Sequence, residues 1–146
     1  PNFTLKGIGE ILTLICYEIL FSEEVVSRLS KKTNLLINIT NDAWFGKTVG
    51  PYQHLALAKI KAVELGMPLA RVANTGISAL ISPYGTEITK ISLYKSGVKT
   101  VSIVAPLENT LYKKYGETFF IVSILFLIII NEICSFKTGS DLKYEK

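Results

Sequence analysis

The chain has 146 residues, 49% of them hydrophobic, which is enough for a single domain with its own core. Its net charge of +4 comes from scattered lysines, and no basic stripe with interleaved aromatic residues indicates a nucleic-acid partner. The two cysteines form no disulfide framework, and no Cys-x-x-Cys or His/Cys cluster predicts a metal site.

The predicted elements alternate between apolar runs and segments with helical spacing. After a turn-like stretch over residues 1–10, strands are predicted over 11–16, 35–39, 69–74, 77–82, 86–93 and 98–104. Helices are predicted over 22–30, capped by Ser22, and from Gly50-Pro51 to the break at Met67-Pro68. The strand–helix–strand order predicts an α/β layered domain, and the short connection between residues 82 and 86 predicts a hairpin.

Cys16 ends the first apolar run, and a helix-like segment follows it at once. A cysteine at the tip of a strand, just before a helix, is well placed as a nucleophile, since the partial positive charge of the helix N-terminus favours a thiolate. The alternative interpretation is a buried core cysteine, because free cysteine is among the most buried residue types.

The loop over residues 41–46 follows the second strand and holds an acid, an amide and the adjacent aromatics Trp44 and Phe45. Loops at the carboxyl ends of strands are where α/β folds keep their sites, so the two aromatics are predicted to form an apolar wall beside Cys16. They could instead simply cover the core. The only histidine, His54, cannot build a site alone and is predicted to be a packed or helix-surface residue.

The C-terminal part differs in composition. Residues 119–130 are nearly all apolar, and an extension to residues 118–136 gives 19 residues, the length of a membrane span. We therefore predict a linker over 111–117, a transmembrane helix over 118–136 and a polar tail over 137–146; a buried core helix is the alternative. Cys134 is predicted to pack rather than to react.

Four strings of residues resemble one known family when they are read in order. They are Leu14-Ile-Cys-Tyr-Glu-Ile19, Asn38-Ile-Thr-Asn-Asp-Ala-Trp-Phe-Gly46, Gly50-Pro-Tyr-Gln-His54 and Arg71-Val-Ala-Asn-Thr-Gly-Ile77. The family is bacterial apolipoprotein N-acyltransferase, a membrane enzyme with a nitrilase-type domain, and the resemblance covers most of residues 7–136. It implies that residues 1–110 are the C-terminal half of a nitrilase-like α-β-β-α sandwich, followed by a transmembrane helix. The family is located in the bacterial inner membrane, with this domain on the periplasmic side.

The resemblance also implies a reaction. A phospholipid would donate an acyl chain to Cys16, and the resulting thioester would acylate the N-terminal lipid-modified cysteine of an apolipoprotein, with no cofactor or metal. Tyr17 and Glu18 match positions that support the site, with the backbone N–H of Tyr17 as an oxyanion donor. Trp44 and Phe45 match the lipid-binding aromatic loop.

The chain departs from the family in one respect. The family's glutamate base and its lysine precede the cysteine, and no Glu or Lys in residues 1–15 stands in a matching motif. The chain also begins at Pro1 without an initiator Met. We therefore expect a missing partner, the N-terminal half of the same enzyme, and an inactive, poorly soluble chain in its absence. The alternatives are a nitrilase-family amidase, which hydrolyses its substrate without a membrane span, and a non-catalytic remnant of a truncated gene.

Overall fold

A computed structural model describes the backbone of residues 2–141 and the side chains of residues 2–133. The chain divides into two compact units between Lys113 and Lys114. The first unit holds the six strands of the sheet and the two helices that connect its parallel strands, and the described part of the second unit is helical. Each unit is described by itself below.

The first unit alternates strands and helices in the predicted manner. The strands are β1 (Asn2–Leu5), β2 (Gly9–Ile15), β3 (Thr33–Asn41), β4 (Leu69–Asn74), β5 (Ser78–Ile81) and β6 (Glu87–Ile91). The helices are α1 (Ser22–Arg28) and α2 (Gly50–Leu65), with short 3₁₀ helices at Cys16–Leu20 and Asp42–Phe45. Two further helices are α3 (Leu111–Tyr115) and α4 (Thr118–Asp141).

The six strands form one sheet in the order in which they occur in the chain. The central strands β2, β3 and β4 are parallel, and β1, β5 and β6 extend the sheet by antiparallel pairing. Parallel neighbours need crossover connections, and α1 and α2 supply them. The carboxyl ends of β2 and β3 therefore lie side by side, which brings Cys16 next to the loop after β3.

One face of the sheet carries the main core. Successive strands place apolar residues in register on this face: Leu12 of β2 is opposite Leu36 of β3, which is opposite Leu69 of β4. Helix α2 covers them with residues that recur at helical spacing, which are Leu55, Ala58, Ala62 and Leu65. This face fixes how α2 lies over the sheet and hence where His54 falls.

The other face has a smaller cluster of Ile11, Leu35 and Leu80, against which Ile103 packs. Toward the carboxyl ends of the parallel strands, Ile15, Ile39 and Val72 are in register on this face. Their exposed fractions are 62%, 51% and 54%. Apolar residues exposed to this extent along a sheet face are typical of an interaction surface.

The sequence-based prediction was wrong in two places. Residues 98–104 are not a strand; they cross the second face without ladder pairing and are anchored there by the side chain of Ile103. Residues 2–5 lie in the predicted turn-like stretch but pair with β2 as strand β1, because Gly7, at φ 89°, lets the chain reverse direction. The predicted hairpin is confirmed as the antiparallel pair β5–β6.

The second unit is dominated by α4, whose side chains from Phe119 to Leu127 are exposed apart from Ser123. The predicted transmembrane helix over 118–136 is not found: no helix in the part of the chain that the structure describes is both long enough and apolar enough to cross a membrane. The apolar run ends at Asn131 and Glu132, one residue before the last described side chain. The predictions for Cys134 and for the polar tail over 137–146 lie outside the residues with described side chains.

Candidate active site

Cys16 lies where β2 ends, as predicted, but the segment that follows is a five-residue 3₁₀ helix rather than an α-helix. The backbone of Cys16 has a φ of 51°, in the left-handed region that a residue with a side chain rarely adopts. Such a conformation costs about 1–3 kcal/mol and is typical of functional sites, as in the strained strand-to-helix turns that carry nucleophiles. Cys16 is partly exposed as a residue.

Glu18 holds this turn in place. Its carboxylate accepts a hydrogen bond of 2.8 Å from the backbone N–H of Ile15, across the residue that has the strained φ. Arg28 of α1 lies 3.7 Å from the same carboxylate and donates a 2.9 Å hydrogen bond to the carbonyl of Thr13. Glu18 and Arg28 thus tie the turn at Cys16 to the end of β2 and to α1.

A buried polar cluster lies beneath the turn. Asp42, which follows β3, accepts hydrogen bonds of 3.0 and 2.8 Å at its two carboxylate oxygens from Arg71 Nη2. Arg71 Nη1 donates to Asn38 Oδ1 at 2.9 Å. Arg71 is 1% exposed, Asp42 1% and Asn38 0%, so the ion pair is shielded from water. The apolar core thus becomes polar at the edge of the sheet that holds the cysteine.

His54 of α2 joins this cluster to the aromatic residues. Its Nδ1 lies 2.9 Å from Asp42 Oδ1, its ring stacks on Tyr17 at a centroid distance of 4.8 Å, and Phe45 meets it edge-on at 5.8 Å. Burial, and then the positive charge of Arg71, lower the pKa of His54, which keeps the ring neutral near pH 7. In the described residues, His54 Nε2 and Arg71 Nε find no hydrogen-bond partner, so the cluster is maintained at a cost in stability.

Two contacts connect the buried cluster to the cysteine. Asn38 Nδ2 donates a 2.9 Å hydrogen bond to the backbone carbonyl of Cys16. Thr40 Oγ1 lies 3.5 Å from Cys16 Sγ and 3.4 Å from Asp42 Oδ1. The position of the cysteine is therefore set by polar groups on β3, the neighbouring parallel strand.

Two glycines make room for the cluster. A Cβ at Gly76 would collide with the Asp42 carboxylate, and a Cβ at Gly50 would collide with the ring of Phe45. Both close approaches explain why glycine stands at these positions. The loop after β4 and the start of α2 can then close on the site.

The structure brings most of the predicted residues together, but it places them in different surroundings. Cys16, Tyr17 and Glu18 share one turn, and Phe45 reaches it through His54. Trp44 is 85% exposed and does not cover the core. Within residues 2–133, no group of three or more His, Cys, Asp or Glu side chains could hold a metal ion.

Sequence reasoning missed the cluster of polar residues on the strands and on α2, which comprises Asn38, Thr40, Asp42, His54 and Arg71. A signal for it was present. Asn38 interrupts an apolar run in β3 between Ile37 and Ile39, and Arg71 does so in β4 between Ala70 and Val72. Polar groups inside buried strands need partners, and they occupy the same level of adjacent strands, since Asn38 is opposite Arg71.

The fold and the strained turn together define an α/β protein that presents a cysteine at the carboxyl edge of a parallel sheet. The chain belongs to the carbon-nitrogen hydrolase family, whose model matches residues 3–110.

Within this family, the chain is similar in sequence to one named group of enzymes. The chain is 43% identical over 113 residues to the apolipoprotein N-acyltransferase of Bradyrhizobium diazoefficiens, and 39% identical over 130 residues to that of Rickettsia prowazekii. These matches cover 77% and 86% of the chain. The chain spans only 21% and 25% of the length of the two relatives.

Solved structures support the fold. An amidase from Nesterenkonia sp. AN1, with acetamide added covalently at its active-site cysteine, matches at a TM-score of 0.50 and 23% identity. The match covers 64% of this chain and 37% of the amidase. A crystal structure of an amidase from Nesterenkonia sp. matches with the same TM-score and identity. The first unit therefore has a mixed α/β, nitrilase-like fold.

Proposed function

We propose that this chain is the cysteine-bearing part of an enzyme that transfers an acyl chain from a phospholipid to the N-terminal, lipid-modified cysteine of an apolipoprotein. The names of the relatives support this choice of reaction. The observation that carries the proposal is the placement of Cys16, partly exposed at φ 51° on the carboxyl edge of the sheet.

The reaction has two steps. The Cys16 thiolate attacks the ester carbonyl of the phospholipid; a C–S bond forms, the ester C–O bond breaks, and the lysophospholipid leaves with one proton. The α-amine of the apolipoprotein then attacks the thioester; a C–N bond forms, the C–S bond breaks to release the Cys16 thiolate, and the proton that the amine loses passes to a general base. The backbone N–H of Tyr17 is proposed to stabilise the oxyanion in both steps, a contribution of about 3–4 kcal/mol in other enzymes.

The aromatic side chains are proposed to receive the lipid. Trp44 is 85% exposed, and Phe45 packs edge-on against His54 next to the Tyr17 ring. This arrangement offers an apolar surface beside the cysteine, on which an acyl chain can lie. We further propose that the enzyme works at the bacterial inner membrane with this domain on the periplasmic side, since its acyl donor is a membrane lipid.

We propose that the relatives carry the general base and a cationic oxyanion donor in the sequence that comes before the region they share with this chain. Glu18, the acid nearest to Cys16 in sequence, is engaged by Ile15 and Arg28, which suits a supporting role and not proton transfer. General acid–base help contributes about 10²–10⁴-fold, so the isolated chain is expected to be nearly inactive. A purified 146-residue chain that transfers acyl groups unaided would contradict this part of the proposal.

The test is mass spectrometry of the full-length protein after incubation with phosphatidylethanolamine. An acyl adduct is expected on Cys16; Cys16→Ser should abolish it, and Cys134→Ser should leave it intact. An adduct on Cys134 would overturn the assignment. Release of the acyl group to water alone, with no transfer to a lipidated peptide amine, would favour an amidase-like hydrolase, and the lack of any adduct would favour a non-catalytic remnant.

A further inference from the structure

We propose that the hydroxyl of Thr40 is a further catalytic group that donates a hydrogen bond to the thiolate of Cys16. The inference rests on the proposed function of Cys16. The two atoms, Thr40 Oγ1 and Cys16 Sγ, are 3.5 Å apart, within the range of a hydrogen bond to sulfur. Thr40 is 4% exposed, so water does not compete freely for its hydroxyl.

The hydroxyl has two acceptors but only one proton. Its second neighbour is Asp42 Oδ1, at 3.4 Å. That oxygen already accepts from Arg71 Nη2 at 3.0 Å and lies 2.9 Å from His54 Nδ1. The carboxylate is thus well supplied with donors, and the Thr40 proton can turn toward the sulfur when the sulfur becomes negative.

Because it has two acceptors, the Thr40 hydroxyl can adopt two orientations during the reaction. While the sulfur is protonated or acylated, it is a weak acceptor, and the Thr40 proton points to Asp42. When the thiolate forms, before attack on the ester or after release of the acyl group, the proton points to the sulfur. A hydrogen bond to the charged form favours that form. The buried cluster thereby supports the nucleophile without a charged group touching it.

The other charged and titratable groups around Cys16 lie on every element packed against it. They are Tyr17 and Glu18 in its own 3₁₀ helix, Arg28 on α1, Asp42 after β3, His54 on α2 and Arg71 on β4. None of them is changed in the variants below, so a change in thiol reactivity reports on the Thr40 hydroxyl.

The experiment compares Thr40→Val, which removes the hydroxyl at nearly constant volume, with Thr40→Ser, which keeps it. Iodoacetamide alkylation of Cys16 is followed in the full-length protein by mass spectrometry of its peptide, with Cys134 as the internal reference. At about pH 7, Thr40→Val is expected to slow alkylation about tenfold, and Thr40→Ser to stay within about twofold. Thr89→Val on β6, separated from β3 by two strands, is the matched control and should change nothing.

A second pH separates the hydrogen bond from packing. At about pH 10, thiols ionise without assistance, so the rates of Thr40→Val and the native protein should converge. Equal rates at pH 7, an equal loss at both pH values, or a loss in Thr40→Ser as large as in Thr40→Val would each overturn the inference. Alkylation needs no phospholipid. An acyl adduct on Cys16 without dependence on Thr40 therefore refutes this inference alone, and a Thr40-dependent alkylation without any acyl adduct refutes the proposed function alone.

Discussion

The ion pair between Arg71 and Asp42 gives the sharpest test of how this domain is held together. The substitution Arg71→Met keeps an unbranched apolar stem but removes the charge and the hydrogen-bond donors of the guanidinium group. Asp42, at 1% exposed, would then be a buried carboxylate without its cation. Asn38 Oδ1 would also lose its 2.9 Å donor.

The expected loss of stability follows from the burial of the Arg71–Asp42 ion pair. Breaking a buried ion pair by removing one partner costs about 3–5 kcal/mol, because an uncompensated charge stays behind. Exposed pairs are worth about 0–1 kcal/mol. We therefore expect Arg71→Met to lower the free energy of unfolding by about 4 kcal/mol, which is about a thousandfold in the unfolding equilibrium.

The matched control is Lys90→Met. Lys90 also pairs with an acid, Glu87, at 3.1 Å, but its side chain is 55% exposed. Lys90→Met should lower the free energy of unfolding by no more than about 0.5 kcal/mol. The double variant Asp42→Asn, Arg71→Met removes both charges, and its loss should be smaller than the sum of the two single losses.

The measurement is hydrogen exchange in increasing urea, read by mass spectrometry on peptides from β3 and β4. These strands carry Asn38 and Arg71 and belong to the first unit, so α4 does not contribute to the signal. A loss below about 1 kcal/mol for Arg71→Met, or one equal to that of Lys90→Met, would refute the view that this pair is a buried structural element.

Three further predictions concern the surroundings of the site. Gly76→Ala should cost about 1–3 kcal/mol, since the added Cβ would strike the Asp42 carboxylate, whereas Gly97→Ala should stay within about 0.5 kcal/mol in the same urea assay. Because the pKa of His54 is lowered in the folded state, its ring stays neutral there while the unfolded chain takes up a proton, so the free energy of unfolding should fall as the pH drops below about 6.5. His54→Gln should flatten this pH dependence; an unchanged slope would count against the burial of His54 as its cause. Trp44→Ala should leave stability within about 0.5 kcal/mol, given its 85% exposure, but weaken the use of phospholipid in a transfer assay; unchanged kinetics would leave the residue without a role in lipid binding.

The sequence by itself determined most elements of the first unit and the position of Cys16 at the end of a strand. Apolar runs bounded by turn residues predicted β4 with its observed ends and β2, β3, β5 and β6 to within two residues. These features depend on local periodicity, which neighbouring residues in the chain decide. Helix α1 begins at Ser22, but the prediction that Ser22 caps it was wrong: Phe21 is the N-cap, and the Ser22 hydroxyl donates a 3.1 Å hydrogen bond to Glu64 Oε2 instead. The same local rules failed for residues 98–104, whose alternation suits a strand but which pack as an extended segment on the sheet.

Only the tertiary structure decided how the site is supported. Asn38, Thr40, Asp42, His54 and Arg71 come from four elements, and their joint role depends on parallel register and on α2 lying over the sheet. His54 looked isolated in the sequence because its partners are 12 and 17 residues away. A polar cluster in a protein interior is defined by which side chains share a space without water, and that is a property of packing, which no local pattern encodes.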